Sequence, residues 1–303
     1  MKNQFQQVRA QTKAGNTAKI EFQIEGKTYT RLFRPKERLI ILGGGHIAFC
    51  LYTMAVMVGF DIIVVDDRPE FANEDRFPRA SRVICGEFAA AIGTLPVGPG
   101  DYVVIATRSH TCDPVCLHAV LDEHLPYYIG LLGSRKRTAL LLAQLAEEGI
   151  PQERLDMIHT PIGLSINALT AEEIAVSIMA ELIRERRKNV KRNSRSTVFV
   201  EETFPEEVVQ TIAQESGAQV LLLVYETVGS TPVKSGSVMT VDAGGRCIGS
   251  IGGGLAEYIA VKNAKEILGS GQTRTLAVDL SQDTEEAEGM VCGGTMKILL
   301  MCL

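Results

Sequence analysis

Six residues, Gly43-Gly44-Gly45-His46-Ile47-Ala48, limit the folds open to this 303-residue chain. They stand directly after a short apolar run, Arg38–Leu42, and directly before a stretch near Ile47–Val58 with helical character. Gly43, Gly45 and Ala48 fit the form G-x-G-x-x-A. The first position allows a tight turn, the second lets the backbone approach a pyrophosphate, and the small third residue lets helix and strand pack closely. A phosphate would rest on the free N–H groups at the helix N-terminus. Asp66 follows Gly43 by 23 residues, at the end of the next predicted strand, where an acid bonds a ribose hydroxyl. These positions point to NAD(P) or another nucleotide. Asp67-Arg68 leaves the choice open, because an arginine there suits a 2′-phosphate. The competing reading is a glycine turn that only packs the first helix.

The rhythm around the motif supports the same class. Apolar runs at Arg38–Leu42, Asp61–Val65, Tyr102–Ala106 and Tyr127–Leu132 have the length and β-branched content of buried parallel strands. Helical stretches near Ile47–Val58, Asp113–Glu123 and Arg135–Glu148 separate them. A last helix, Ala171–Arg187, follows Thr170 as N-cap, with Glu172 and Glu173 in its first turn. The fold class expected is α/β, a Rossmann-like doubly wound parallel sheet, with a second α+β domain after it.

Domain limits come from composition. Residues 17–34 alternate around Glu25-Gly26 as a β-hairpin, so 1–35 read as an N-terminal β extension and 36–187 as the Rossmann-like domain. Residues 188–198 read as a basic linker inside the stretch RERRKNVKRNSRS, and 199–303 as the α+β domain. In that domain Phe204–Gly217 and Leu255–Leu268 read as helices. Val220–Thr227, Thr273–Asp279 and Met296–Met301 read as strands, and Ser237–Val241 with Cys247–Ile251 as a hairpin.

The net charge of −5 is unevenly spread, with seven basic against two acidic side chains in 1–35 and seven against one in 184–196. Acidic bodies with basic connectors exclude a nucleic-acid binder, which carries its positive charge on a folded face. The longest apolar runs are too short to cross a bilayer, which excludes a membrane protein, and Met1-Lys2-Asn3-Gln4 opens no secretory signal. Seven cysteines without a CxxC pair suit reduced thiols in the cytoplasm.

Two further clusters follow predicted strands of the Rossmann-like domain. In Thr107-Arg108-Ser109-His110, Arg108 could clamp an anion and His110 could transfer a proton near neutral pH. A polar loop with an N-capping hydroxyl is the alternative. In Gly133-Ser134-Arg135-Lys136-Arg137, Ser134 sits at an N-cap and Arg135 opens a run of three cations on the first turn. The helix dipole prefers acids there, so the run makes more sense with an anion bound. Cys112 and Cys116 share a helical face; buried, inert thiols are the preferred reading over a reactive Cys112. Later, Gly229-Ser230-Thr231-Pro232, Gly249–Glu257 with Gly252, Gly253 and Gly254, and Met290–Gly294 with Cys292 form three glycine-rich loops. Successive N–H groups in such loops can face one anion, although turns and close packing also explain each loop singly.

Taken together the residues resemble the xanthine dehydrogenase accessory protein family (XdhC/CoxI). Over 39–187 the resemblance is carried by GGGHIA, VVDDRPEFANEDRFP, TRSH, GLLGSRKR, HTPIGL and TAEEIAVSIMAELI. Over about 225–303 it is carried by GSTPVKSGSVM, GSIGGGLAE and the late CGG. The resemblance implies a maturation factor rather than a catalyst. Such a protein binds the molybdenum cofactor (molybdopterin), protects it while an oxo ligand is replaced by sulfur, and delivers it to an apo molybdenum hydroxylase of the xanthine dehydrogenase type. A cysteine desulfurase as sulfur source goes with that expectation. A homodimer is expected on separate grounds, because an α+β unit of about 105 residues with exposed strand edges often needs a neighbour. It implies Ser230, Thr231, Gly252, Gly253, Gly254 and Cys292 as contacts for the pterin phosphate or molybdenum, and a soft thiolate at Cys292 suits the metal. Many relatives place the cofactor domain first, whereas here it follows the Rossmann-like block. The alternatives are an NAD(P)-dependent oxidoreductase in which Arg108 and His110 handle substrate, and a nucleotide-sensing regulator that binds no pterin.

Overall fold

The computed structural model describes residues 1–122, 125–188, 197–200, 205–214, 217–280 and 293–303. The chain divides into two compact units, one made of 36–190 and the other of 1–35 with 191–303. The N-terminal segment is more than a β extension. Helix α1 (Lys2–Lys13) precedes the hairpin of β1 (Ala18–Ile24) and β2 (Lys27–Phe33). Glu25 and Gly26 both take positive φ, at 51° and 77°, as a two-residue turn matched to strand twist requires.

The α/β unit runs β3 (Arg38–Leu42), α2 (His46–Met57), β4 (Asp61–Asp66), β5 (Arg82–Cys85), α3 (Phe88–Gly93), β6 (Tyr102–Ile105) and α4 (Cys112–Asp122). It continues through β7 (Tyr128–Leu131), α5 (Arg135–Glu147), α6 (Gln152–Leu155), β8 (Ile158–His159) and α7 (Ala171–Arg187). Its strands form one six-stranded parallel sheet in the order β5-β4-β3-β6-β7-β8. Both faces are buried, so the strands read as continuous apolar runs. Leu39, Ile41, Ile62, Val64 and Val104 pack on one side against Ala48, Leu51 and Ala55 of α2 and Ala175, Ile178 and Leu182 of α7. Ile40, Leu42, Val65, Val103 and Ile105 pack on the other against Phe88 and Ile92 of α3, Cys116 and Leu117 of α4, and Leu145 of α5. Thr170 opens α7 with a capping box: its hydroxyl accepts from Glu173 N–H at 3.2 Å, and the Glu173 carboxylate accepts from Thr170 N–H at 3.1 Å.

The α+β unit adds β9 (Val198–Val200), α8 (Glu206–Gln214), β10 (Gln219–Val228), β11 (Val238–Asp242), β12 (Cys247–Gly249), α9 (Gly254–Ile267), β13 (Thr273–Asp279) and β14 (Thr295–Cys302). Its larger sheet is antiparallel with the order β12-β11-β10-β14-β13, and a smaller one runs β1-β2-β9. Leu221, Leu223 and Tyr225 of β10 pack against Phe5 and Val8 of α1, Phe22 of β1 and Val208 and Ile212 of α8. Val220, Leu222 and Val224 face Ala256, Ala260 and Ala264 of α9. Most of the expected basic linker, 189–196, lies outside the described residues. Its end, Val198, instead pairs in parallel with Thr30 of β2.

Candidate functional site

In the α/β unit the strand order reverses between β3 and β6, and ligands of open α/β sheets bind outside the strand carboxyl ends at such a point. Gly43 stands there at φ +110°, and a Cβ on it would lie 2.3 Å from the Ala106 carbonyl oxygen. A Cβ on Gly44 would lie 2.0 Å from the carbonyl oxygen of Phe71, in the segment that follows β4. A Cβ on Gly45, by contrast, would meet nothing within 4 Å. Gly45 is the N-cap of α2 and has no side-chain partner for the helix N–H groups, so it is the open member of the motif. Ala48 is buried where α2 meets the sheet.

Asp66 is 1% exposed and its carboxylate is engaged inside the fold. It accepts from Gly44 N–H at 2.7 Å, from Arg68 N–H at 3.0 Å, and from the Arg68 guanidinium at 2.8 and 2.9 Å. Burial by itself would raise its pKa, but these hydrogen bonds outweigh it and hold the carboxyl below the usual range. The oxygens a ribose would need are therefore already in use. Arg68, stacked at 3.7 Å over the Phe71 ring, is held on Asp66 and away from a 2′-phosphate. Arg76 adds a second tie, donating to the Gly44 carbonyl at 3.1 Å.

Arg108 sits at the same strand ends, donating to Asp67 at 2.9 Å across the loops that follow β4 and β6. Both partners are partly exposed, so the pair is weak and can exchange for an anionic ligand. His110 is exposed beside it. Ser134 caps α5, accepting from Arg137 N–H at 3.4 Å, and Arg135 is exposed on the first turn. The anion expected for that cationic turn is partly supplied by the chain itself. Asp113, 1% exposed, accepts from the Arg137 guanidinium and from the Thr107 hydroxyl at 2.5 Å. In the sequence Asp113 marks only the start of a helical stretch, and an acid in the first turn of α4 is the visible signal of this contact. Burial pushes the Cys116 thiol up, in keeping with an inert cysteine.

In the α+β unit the three glycine-rich loops converge. A Cβ on Gly294 would lie 2.4 Å from the Ser230 carbonyl oxygen, and one on Gly229 would lie 2.8 Å from the Gly293 oxygen. One on Gly252 would lie 2.7 Å from the Pro232 ring and 3.2 Å from the Val233 side chain. Ser230 is exposed, while the Thr231 hydroxyl donates to the Val233 carbonyl at 2.7 Å. Cys292 lies outside the described residues. The cradle expected in the 250–254 loop already holds an anion. The Glu257 carboxylate accepts from Ser250 Oγ at 2.8 Å, Ile251 N–H at 3.0 Å and Gly253 N–H at 3.1 Å. Burial would raise its pKa, but these three donors hold it low. Gly254 opens α9, whose first-turn N–H groups have no acceptor within the helix, and both Gly254 and Ser230 are exposed. Glu257→Ala is expected to lower the stability of this unit by about 2 kcal/mol, because three donors lose a charged acceptor. Urea unfolding measures it; a loss under about 0.5 kcal/mol would mean that water serves the loop as well as the carboxylate does.

A family profile described as the XdhC Rossmann domain matches residues 39–182, and one described as the XdhC and CoxI family matches 213–279. A probable xanthine dehydrogenase subunit of Bacillus subtilis (strain 168) is 33% identical over 160 residues, 53% of this chain and 46% of that protein. The molybdenum cofactor insertion chaperone PaoD of Escherichia coli (strain K12) is 28% identical over 154 residues, 51% of this chain and 42% of that protein. A crystal structure described as a xanthine dehydrogenase from Bacillus halodurans is 40% identical, with a TM-score of 0.47 over 53% of this chain and 47% of that one. The chain spans less than half the length of the curated relatives it matches. With one profile on the α/β unit and the other on the α+β unit, the chain belongs to the XdhC and CoxI family.

Proposed function

We propose that this chain is a maturation accessory of a molybdenum hydroxylase. It takes molybdenum cofactor as cargo, shelters it during sulfuration with sulfur from a cysteine desulfurase, and passes it to an apo-hydroxylase of the xanthine dehydrogenase type. The observation that carries the reading is the meeting of the 229–233, 250–254 and 293–294 loops in one unit. The cargo has a phosphate, and the N–H groups at the start of α9 with the Ser230 hydroxyl are donors of the kind a phosphate takes. Glu257 holds the inner donors as a stand-in anion until the cargo phosphate arrives. The name of the E. coli relative, a molybdenum cofactor insertion chaperone, supports this role, and that of the B. subtilis relative supports the class of client. No described helix is long and apolar enough to cross a membrane, and the reading sets the protein in the cytoplasm. A homodimer joined through the largely exposed edge strand β13 belongs to the same proposal.

The α/β unit carries a separate proposal. The open approach at Gly45, with Arg108 also at the strand carboxyl ends, favours the phosphate of a nucleotide such as NAD(P).

The test is to mix purified protein with molybdenum cofactor under anaerobic, reducing conditions, separate it by gel filtration, and assay bound pterin. Near-stoichiometric retention is expected. Ser230→Ala and Cys292→Ala should each weaken it by about tenfold or more, the equivalent of one lost charged hydrogen bond or metal contact. No retention by the wild-type chain would sink the reading. Retention that both variants leave untouched would remove the assigned site.

A further inference from the structure

Helix α2 places His46 and Cys50 four residues apart, on one face. The first turn of α7 sets Glu172 against them, with Glu172 Oε1 3.0 Å from His46 Nε2. One ligating atom from each of the three, imidazole nitrogen, thiol sulfur and carboxylate oxygen, lies within 4.8 Å of the other two. Glu172 is a first-turn acid of α7 that also reaches across to His46 of α2. The capping box of α7 is made by Thr170 and Glu173, and the N-cap of α2 is Gly45. The two helices that carry the trio share one core through Ala48, Leu51, Ala55, Ala175 and Ile178, so the three side chains project from a rigid platform.

We propose that His46, Cys50 and Glu172 form a zinc(II) site. One nitrogen, one sulfur and one oxygen donor suit a borderline-soft ion, whereas magnesium and calcium select oxygen alone. Zinc bonds of about 2.0–2.3 Å in a tetrahedron set neighbouring donors roughly 3.3–3.8 Å apart, so shifts of about 1 Å in the side chains close the site. Three protein ligands leave the fourth position to water or to an oxygen of a bound ligand. His46 and Glu172 are exposed, so that position is open to solvent. The inference rests on the α/β unit alone and stands whether or not the chain carries pterin.

The test uses the full chain, reduced and stripped with chelator, titrated anaerobically with cobalt(II) as a spectroscopic probe and then with zinc(II). One equivalent of cobalt should bind with tetrahedral d–d bands and a sulfur-to-cobalt charge-transfer band, and zinc should displace it. Cys50→Ser should abolish the charge-transfer band, while Cys247→Ser, at an exposed cysteine of the other unit, should leave it intact. His46→Gln and Glu172→Gln should each weaken zinc binding at least about tenfold. Metal-free thermal unfolding midpoints of the variants should stay within about 5 °C of wild type, since His46 and Glu172 are exposed and Cys50 is only partly buried. Zinc should raise the midpoint of the wild type by more than that of any of the three variants. An octahedral spectrum, or an affinity and stoichiometry that survive all three substitutions, would overturn the proposal.

Discussion

Gly43→Ala is expected to destabilise the α/β unit by at least about 3 kcal/mol, while Gly45→Ala, two residues on, costs about 1 kcal/mol or less. The difference comes from backbone geometry. At φ +110° an L-residue is strained wherever the space lies, and strain of this kind costs about 1–3 kcal/mol. The new methyl would also sit 2.3 Å from the Ala106 oxygen and 2.7 Å from its carbonyl carbon, adding an overpacking cost of a similar size. That carbonyl cannot withdraw freely. Ala106 N–H donates to Leu42 O at 2.8 Å, and Gly43 N–H donates to Val65 O at 2.7 Å, so the clash spreads into three neighbouring strands. Gly45 has φ −63° and open space where its Cβ would be, so alanine there loses only its preference as an N-cap. Urea unfolding followed by far-UV circular dichroism separates the two variants. Equal stability for both would refute the assignment of Gly43 to close strand packing and Gly45 to the open approach.

The contrast between these glycines marks how far the sequence reading reaches. Glycine-rich runs after strands are legible as loops at strand ends, but which glycine faces a neighbour and which faces solvent depends on the partner strand. The parallel strands themselves were legible, because burial on both faces leaves runs such as Leu39–Leu42 with no polar residue. Strand β5 was not, since its four residues are only partly buried or exposed, and neither was β8, with two residues. Helix α1 was missed because its sequence is polar. Its buried stripe is only Phe5, Val8 and Thr12, one member of it polar, and it gains its burial from α8 and the hairpin.

The internal anions were the harder part. Asp66, Asp113 and Glu257 all stand near N–H groups or cations that the sequence offers to a ligand, and each meets those donors within the chain. A signal existed for Glu257, four residues after Gly253 and in the first turn of a helix, where an acid is favoured. For Asp66 the spacing suited a ribose contact equally well, and only the position of Arg68 decides between the two roles.

Asp66→Ala is expected to lower the stability of the α/β unit by about 3 kcal/mol at neutral pH, the lower end for removing one partner of a buried ion pair. The lower end applies because Arg68 keeps some contact with solvent and can rehydrate, whereas Gly44 N–H cannot turn away. Asp66→Asn should cost less, since its amide oxygen can still accept from Gly44 while the charge facing Arg68 is lost. The sign of the pH dependence follows from the depressed pKa. The folded state holds the carboxylate more tightly ionised than the unfolded chain does. Its contribution is therefore complete above the unfolded pKa of about 3.9 and disappears as pH falls through the lower folded value. Glu181, which accepts from His159 and from Gly163 N–H, is depressed in the same direction and leaves an acid-sensitive background in both proteins. The measurement is therefore the difference between wild-type and variant urea midpoints from pH 6 to pH 3. That difference should be constant above about pH 4.5 and shrink below pH 4 as the wild type loses the charge. A variant within about 1 kcal/mol of wild type, with an unchanged acid slope, would show that Asp66 is not tied to Gly44 and Arg68 in solution. Its carboxylate would then be free for a ribose hydroxyl, and the nucleotide proposal would gain the contact that the folded arrangement denies it.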